Sequence, residues 1–130
     1  MDAGNRAVAI SRYRTILGLD NSNPAALNNA AYLLAFDNPD EALALAQRAA
    51  EVAPDSPAIQ DTLGWVYYRK GIYRSAIVHL TAAVNKEPTP RRRFHLAMSY
   101  IRAGDSSVGK NMLTTALHDD PKLPETEQGW

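Results

Sequence analysis

Along most of the chain, apolar residues recur at intervals of three and four, and no run shows the strict alternation of a half-buried strand. In PAIQDTLGWVYYRKG, residues 57 to 71, a rotation of about 100° per residue gathers Ile59, Leu63, Val66 and Tyr67 into one stripe. Asp61, Trp65 and Tyr68, flanked by Ala58, Thr62 and Arg69, form a second stripe on nearly the opposite face. Core packing is expected to use the first stripe. It therefore explains Tyr67 but leaves Trp65 and Tyr68 without a core role.

The punctuation between apolar segments fixes where helices begin and end. Asn23-Pro24, Asn38-Pro39, Ser56-Pro57 and Thr89-Pro90 each place a capping side chain before a proline, the preferred order at a helix start. Gly71 and Gly104 close periodic segments, as expected of residues that enter left-handed backbone angles at a helix end. The pattern predicts seven helices near residues 5 to 17, 24 to 36, 39 to 52, 57 to 70, 73 to 86, 90 to 103 and 106 to 118. Connections of only a few residues make neighbours antiparallel.

The segments also resemble one another. A shift of 33 carries Leu63, Gly64, Tyr67, Gly71, Ala76, Leu80, Ala83 and Pro88 onto Leu96, Ala97, Tyr100, Gly104, Gly109, Leu113, Ala116 and Pro121. Backwards, Leu63, Gly64 and Tyr67 fall on Ala30, Ala31 and Leu34. Ala42, Ala46 and Ala49 in turn fall on Ala9, Tyr13 and Ile16, so the first helix reads as the second half of a unit. A fixed period of this length signifies stacked helical units.

Leu63-Gly64-x-x-Tyr67, followed by Gly71, Tyr73, Ala76-x-x-x-Leu80, Ala83 and Pro88, resembles the tetratricopeptide repeat pattern of two antiparallel helices in about 34 residues. The resemblance implies an all-α fold, a right-handed α-solenoid in a single domain. Its parts are a half repeat at about 4–23, repeats at about 24–56, 57–89 and 90–123, and a C-terminal tail, 124–130. Gln60 stands where the family often has tryptophan, Asn21 replaces a closing proline, and Asp37-Asn38-Pro39 replaces a glycine-containing turn. The wording DTLGWVYYRKG further resembles bacterial-type members of the family.

By the same resemblance, the first helices of the repeats line a concave groove, and the second stripe faces it. The expected peptide-binding residues are Asn28, Tyr32, Asp61, Trp65, Tyr68, Arg69, Arg91, Phe94, Met98 and Arg102, with Tyr32, Trp65 and Met98 as a ladder across three repeats. Tryptophan, tyrosine and arginine are the residue types that most often carry binding energy. The competing expectation is that Trp65 and Tyr68 pack against neighbouring first helices and close the groove. Some tetratricopeptide proteins hold an acidic chaperone tail in a carboxylate clamp. Arg91 matches a basic clamp position, but Asn28, Tyr32, Thr62 and His95 depart from that pattern. At the helix contacts, Gly64 and Ala76 are expected to mark one close approach, with Tyr67 and Leu80 beside it.

Composition narrows the functional classes. Lys+Arg and Asp+Glu both number 14, which argues against a whole-domain electrostatic footprint for nucleic acid. The run Arg91-Arg92-Arg93 is the one dense basic feature that keeps such a partner in view, and on a helix it fans over about 200°. Without cysteine there is no thiolate chemistry and no disulfide. His79, His95 and His118 lie on different helices with no second histidine at helical spacing, so no metal or cofactor is implied. No phosphate loop or nucleophile elbow is present, and a non-enzymatic role follows. The start lacks a signal-like apolar core and no apolar run approaches the roughly 20 residues of a membrane span, which fits a cytoplasmic or an exported soluble segment.

The function expected is a non-catalytic protein-interaction module that binds a partner segment in the groove. The alternative is a structural repeat segment that self-associates through its exposed ends. The first helix, with Ala9, Tyr13 and Ile16, is expected to lack its pair partner and so to require an upstream repeat or another copy. Residues 124–130 are expected to be too short for a stable helix and to stay mobile unless Trp130 docks on the last repeat.

Overall fold

The computed structural model describes residues 2–126. Among these the chain forms only helices: α1 (Ala3–Leu19), α2 (Pro24–Leu34), α3 (Pro39–Val52), α4 (Pro57–Arg69), α5 (Tyr73–Lys86), α6 (Pro90–Arg102), α7 (Ser106–Asp119) and the single turn α8 (Leu123–Thr126). Each Xaa-Pro start is built as the sequence predicts. Asn23, Asn38, Ser56 and Thr89 accept hydrogen bonds from the backbone N–H three residues on, at 3.0, 3.3, 3.3 and 3.1 Å. Gly71 and Gly104 adopt φ of 77° and 99°, and the following residues bond back to Tyr67 and Tyr100 carbonyls at 2.9 Å, closing α4 and α6.

The most extensive contacts join α2 to α3, α4 to α5 and α6 to α7, so these are the three two-helix units. Units stack through α3 on α4 and α5 on α6, while the first helices α2, α4 and α6 also touch in sequence. Small residues set the spacing. Ala42, Ala46 and Ala49 on α3 and Ala76, Leu80 and Ala83 on α5 are completely buried. The close approach at Gly64 is made to Leu80: a Cβ placed there would lie 2.3 Å from Leu80 Cγ. Its repeat equivalent in the next pair runs the other way, since a Cβ on Gly109 would meet the Ala97 carbonyl oxygen at 2.7 Å.

The two ends of the array differ from each other. No residue of α1 is buried, although Ile10 and Leu17 pack on the core clusters beneath it. At the other end, the sequence reading left residues 124–130 without a helix, whereas Leu123–Thr126 form one helical turn. Leu123 supplies the reason: it is buried to 2% exposure against Phe94 and Ala116, and that burial holds the turn. Residues 127–130, with Trp130, lie outside the described residues.

Candidate functional site on the first helices

Because α2, α4 and α6 are adjacent first helices, their shared face collects side chains spaced one repeat apart. The Tyr32 and Trp65 rings stack at 5.3 Å, and Phe36 meets Trp65 at the same distance. The Trp65 indole N–H donates to the Tyr32 backbone carbonyl at 3.0 Å, which fixes the ring across the repeat boundary. The first two rungs of the expected ladder are thus in contact. Met98, half-buried, packs with Tyr68 and Leu96 and with Phe94 and Leu123.

Exposure departs from the sequence reading. Trp65 is 0% exposed, and Tyr68, Phe94 and Asp61 are also buried, so core packing does use the second stripe. For Trp65 the competing expectation holds: its ring packs against the adjacent first helix α2 as well as within its own pair. Tyr67, assigned wholly to the core, is only half-buried, with its ring stacked on His79 at 5.4 Å. Burial holds the His79 imidazole below its usual pKa, and its Nδ1 pairs with Gln60 Oε1 at 2.8 Å. Of the ten expected groove residues, Asn28, Tyr32 and Met98 are half-buried and Arg69, Arg91 and Arg102 are exposed.

Guanidinium groups lie over these rings. Arg91 Cζ sits 5.1 Å from the Tyr32 centroid, and Arg69 Cζ lies 5.6 Å from Trp65 and 5.5 Å from Phe36. Arg6, contributed by α1 and not foreseen from sequence, lies 4.6 Å from Phe36 and 3.7 Å from Asp37. Arg102 reaches from α6 to the Tyr68 hydroxyl; burial pushes that phenol above its usual pKa and Arg102 opposes the shift. The basic run divides among partners: Arg92 pairs with Glu87 at 3.3 Å and Arg93 with Asp119 at 3.5 Å.

Beneath Arg91 lies a buried pair that the sequence did not reveal. His95 is wholly buried, and its Nδ1 donates to Asp61 Oδ1 at 2.9 Å, a bond from α6 to α4 across two repeats. Burial alone would raise the Asp61 pKa. His95, with Arg91 and Arg92 farther out, outweighs that, so the carboxyl stays below its ordinary value and remains ionised. An ionised acceptor assigns the proton to His95 Nδ1. A depression of about 200 Å³ opens above this pair, lined among others by Asn28, Tyr32, Asp61, Thr62 and Arg91. Asn28 Oδ1 is buried there without a hydrogen-bond partner. A carboxylate amid the groove stripe was the one sequence signal for the pair. Among the described residues no cluster of His, Asp or Glu could hold a metal ion, and no helix is long and apolar enough to cross a membrane.

This arrangement of stacked helix pairs agrees with the family comparison, in which a tetratricopeptide repeat model matches residues 1–57 and 32–93. The chain belongs to the tetratricopeptide repeat family. Its fold is that of protein-interaction and scaffold modules. A TPR repeat-containing protein of Pseudomonas aeruginosa is 34% identical over 85 residues, 64% of this chain but 14% of that protein. The chain thus spans a small part of that relative's length. A thermophilic TPR protein of Thermus thermophilus superposes with a TM-score of 0.77 at 22% identity, covering 94% of this chain and 69% of that one. MamA of Desulfovibrio magneticus gives 0.76 at 18% identity, with 97% and 70% covered. At such identities the two solved structures share the fold with this tetratricopeptide chain and nothing finer.

Proposed function

We propose that this tetratricopeptide domain is a non-catalytic protein-binding module whose first-helix face receives a segment of a partner protein. The observation that carries this reading is the set of arginines laid over aromatic rings along one face: Arg69 on Phe36 and Trp65, and Arg91 on Tyr32. Arginine both stacks on aromatic rings and matches carboxylates bidentately, so the face combines apolar area with residue types suited to carboxylates and peptide carbonyls. Trp65, Tyr68, Phe94 and Asp61 act as the supporting floor. Asn28, Tyr32, Arg69, Arg91, Met98 and Arg102 make the contact. Capture of partners from lysate by the domain, compared with an Arg69→Ala/Arg91→Ala variant of unchanged circular dichroism, tests the reading. The captured protein should be lost in the variant and in high salt; equal capture by both would overturn it.

The scaffold alternative has its own supporting observation at α1. The face bearing Val8, Ala9, Tyr13 and Ile16 is open, although the equivalent positions on α3 and α5 are completely buried by their pair partners. A solution mass above the monomer, reduced by Val8→Arg, would favour association through this end.

A further inference from the structure

Two depressions adjoin on the first helices. One, of about 200 Å³, opens above the His95–Asp61 pair, with Asn28, Thr62 and Arg91 among its walls. The other, of about 300 Å³, is lined among others by Pro24, Ala25, Ala53, Ala58 and Ile59, and is apolar in character. Asn28, Asn29 and Ala58 line both, so the two share one wall.

Asn28 is the odd residue of that wall. The Oδ1 atoms of Asn23 and Asn38 cap helices, whereas Asn28 Oδ1 is buried and has no hydrogen-bond partner. Buried acceptors in folded proteins are paired, and one left unpaired costs stability that a donor from an occupant restores. The space beside it exceeds several times the roughly 30 Å³ share of one water, so a group the size of a peptide unit fits there.

Charge selects among donors. The partial negative charge of Oδ1 calls for an N–H. Arg91 and Arg92 stand near enough to draw down the Asp61 pKa, and the same positive field opposes an ammonium ion. Asp61 Oδ1 is itself engaged by His95. The complementary group is therefore an uncharged N–H, while the apolar depression across the shared wall calls for an aliphatic side chain. One amino-acid residue offers both, because its amide nitrogen and Cβ are separated by a single atom.

We propose that Asn28 Oδ1 accepts the backbone N–H of an aliphatic residue in the partner segment, whose side chain fills the depression of Pro24, Ala25, Ala53, Ala58 and Ile59. The inference rests on the first-helix face being a binding surface and makes Asn28 a specificity-determining residue of it. A leucine-like or valine-like residue is selected at that position of the segment. Proline is rejected there, since it has no N–H to give.

The probe is N-acetyl-leucine dimethylamide, which has a single N–H, titrated into the full isotope-labelled chain and followed by NMR. It should shift the amides of Ala25, Asn28, Asn29 and Ala58 and saturate. Methylation of the leucine nitrogen, replacement of the leucine by glycine, and Asn28→Leu in the protein should each weaken binding roughly tenfold, the equivalent of one buried hydrogen bond or side chain. Asn28→Leu should at the same time leave the thermal midpoint of the free chain unchanged or raised, because it removes an acceptor without a partner. A merely structural asparagine would give a lower midpoint. Shifts that never saturate, equal binding of the N-methylated probe, equal binding to Asn28→Leu, or a lowered midpoint in that variant would overturn the proposal. The module reading fails by a different result, in which the probe binds as stated while the domain captures no protein. A captured protein that is lost in Arg69→Ala/Arg91→Ala but held equally by wild type and Asn28→Leu would keep the module and overturn the role of Asn28.

Discussion

Helices α1 and α4 are both segments of one repeat array, yet α4 buries eight of its residues and α1 none. The difference lies in neighbours. α4 is covered by its pair partner α5, by α3 of the preceding unit and by the first helices α2 and α6 on its remaining side. α1 meets α2, and among the described residues nothing lies on its outer face. In a solenoid, burial is thus a property of position in the stack more than of a helix's own pattern.

The sharpest way to break this comparison is to remove the largest side chain that α4 buries completely. Trp65→Ala should cost about 3–5 kcal/mol in urea unfolding, at least as much as Leu63→Ala at about 2–5 kcal/mol. A cost near zero would return Trp65 to the surface role that its helical angle suggested. The pair behind it should respond to pH. Removing the partner of a buried hydrogen-bonded carboxylate typically costs about 1–3 kcal/mol or more, and His95→Ala should cost that at neutral pH. The Asp61 pKa is lowered in the folded state, so its contribution is fully present above the usual carboxylate range and is lost as pH falls through the lowered value. The gap between wild type and His95→Ala should therefore narrow in acid. A gap independent of pH would show that His95 acts through packing alone.

What the sequence revealed, and what it hid, follows the same division. The helix starts were legible because an Asn, Ser or Thr before proline is a local chemical instruction, and all four such caps form their bond. The helix pairs were legible because spacing repeats. The burial of Trp65 and Tyr68 was legible only as a competing expectation, and that of Phe94 not at all, since it depends on contacts between helices some 33 residues apart, and one helix's angles do not report them. His95 and Arg6 escaped for the same reason: Asp61 is 34 residues from the first, and Phe36 meets the second from a different unit. Leu123, at the end of the last expected repeat, had no assigned role until Phe94 and Ala116 supplied a place for it.

Two glycines sharpen the comparison with opposite signs. At Gly64 a new Cβ meets Leu80 Cγ, which is held inside the core, so Gly64→Ala should cost about 1–3 kcal/mol by overpacking. At Gly18, near the end of α1, nothing lies within 4 Å of a new Cβ, and its φ is not in the left-handed range. Gly18→Ala should therefore stabilise by about 0.4–1 kcal/mol, since alanine restricts the unfolded chain and favours helix. The same sign at both positions, measured by thermal unfolding, would mean that the α4–α5 approach is looser than the Gly64–Leu80 spacing requires.

The smallest effect is expected on the outer face of α1. Val8 is 53% exposed and Ile16 is 39% exposed, and their side chains leave water only in part. Val8→Ser should then change stability by no more than about 0.5 kcal/mol, the range of surface substitutions away from special features. Backbone amides of α1 should exchange before those of α4, because α1 can leave the stack without exposing a fully buried side chain of its own. The dependence on concentration makes this a test of more than stability. If the face is open, the effect of Val8→Ser is the same in dilute and concentrated samples. If another copy covers it, the cost grows with protein concentration, because association stabilises the folded chain by mass action and the serine weakens that association.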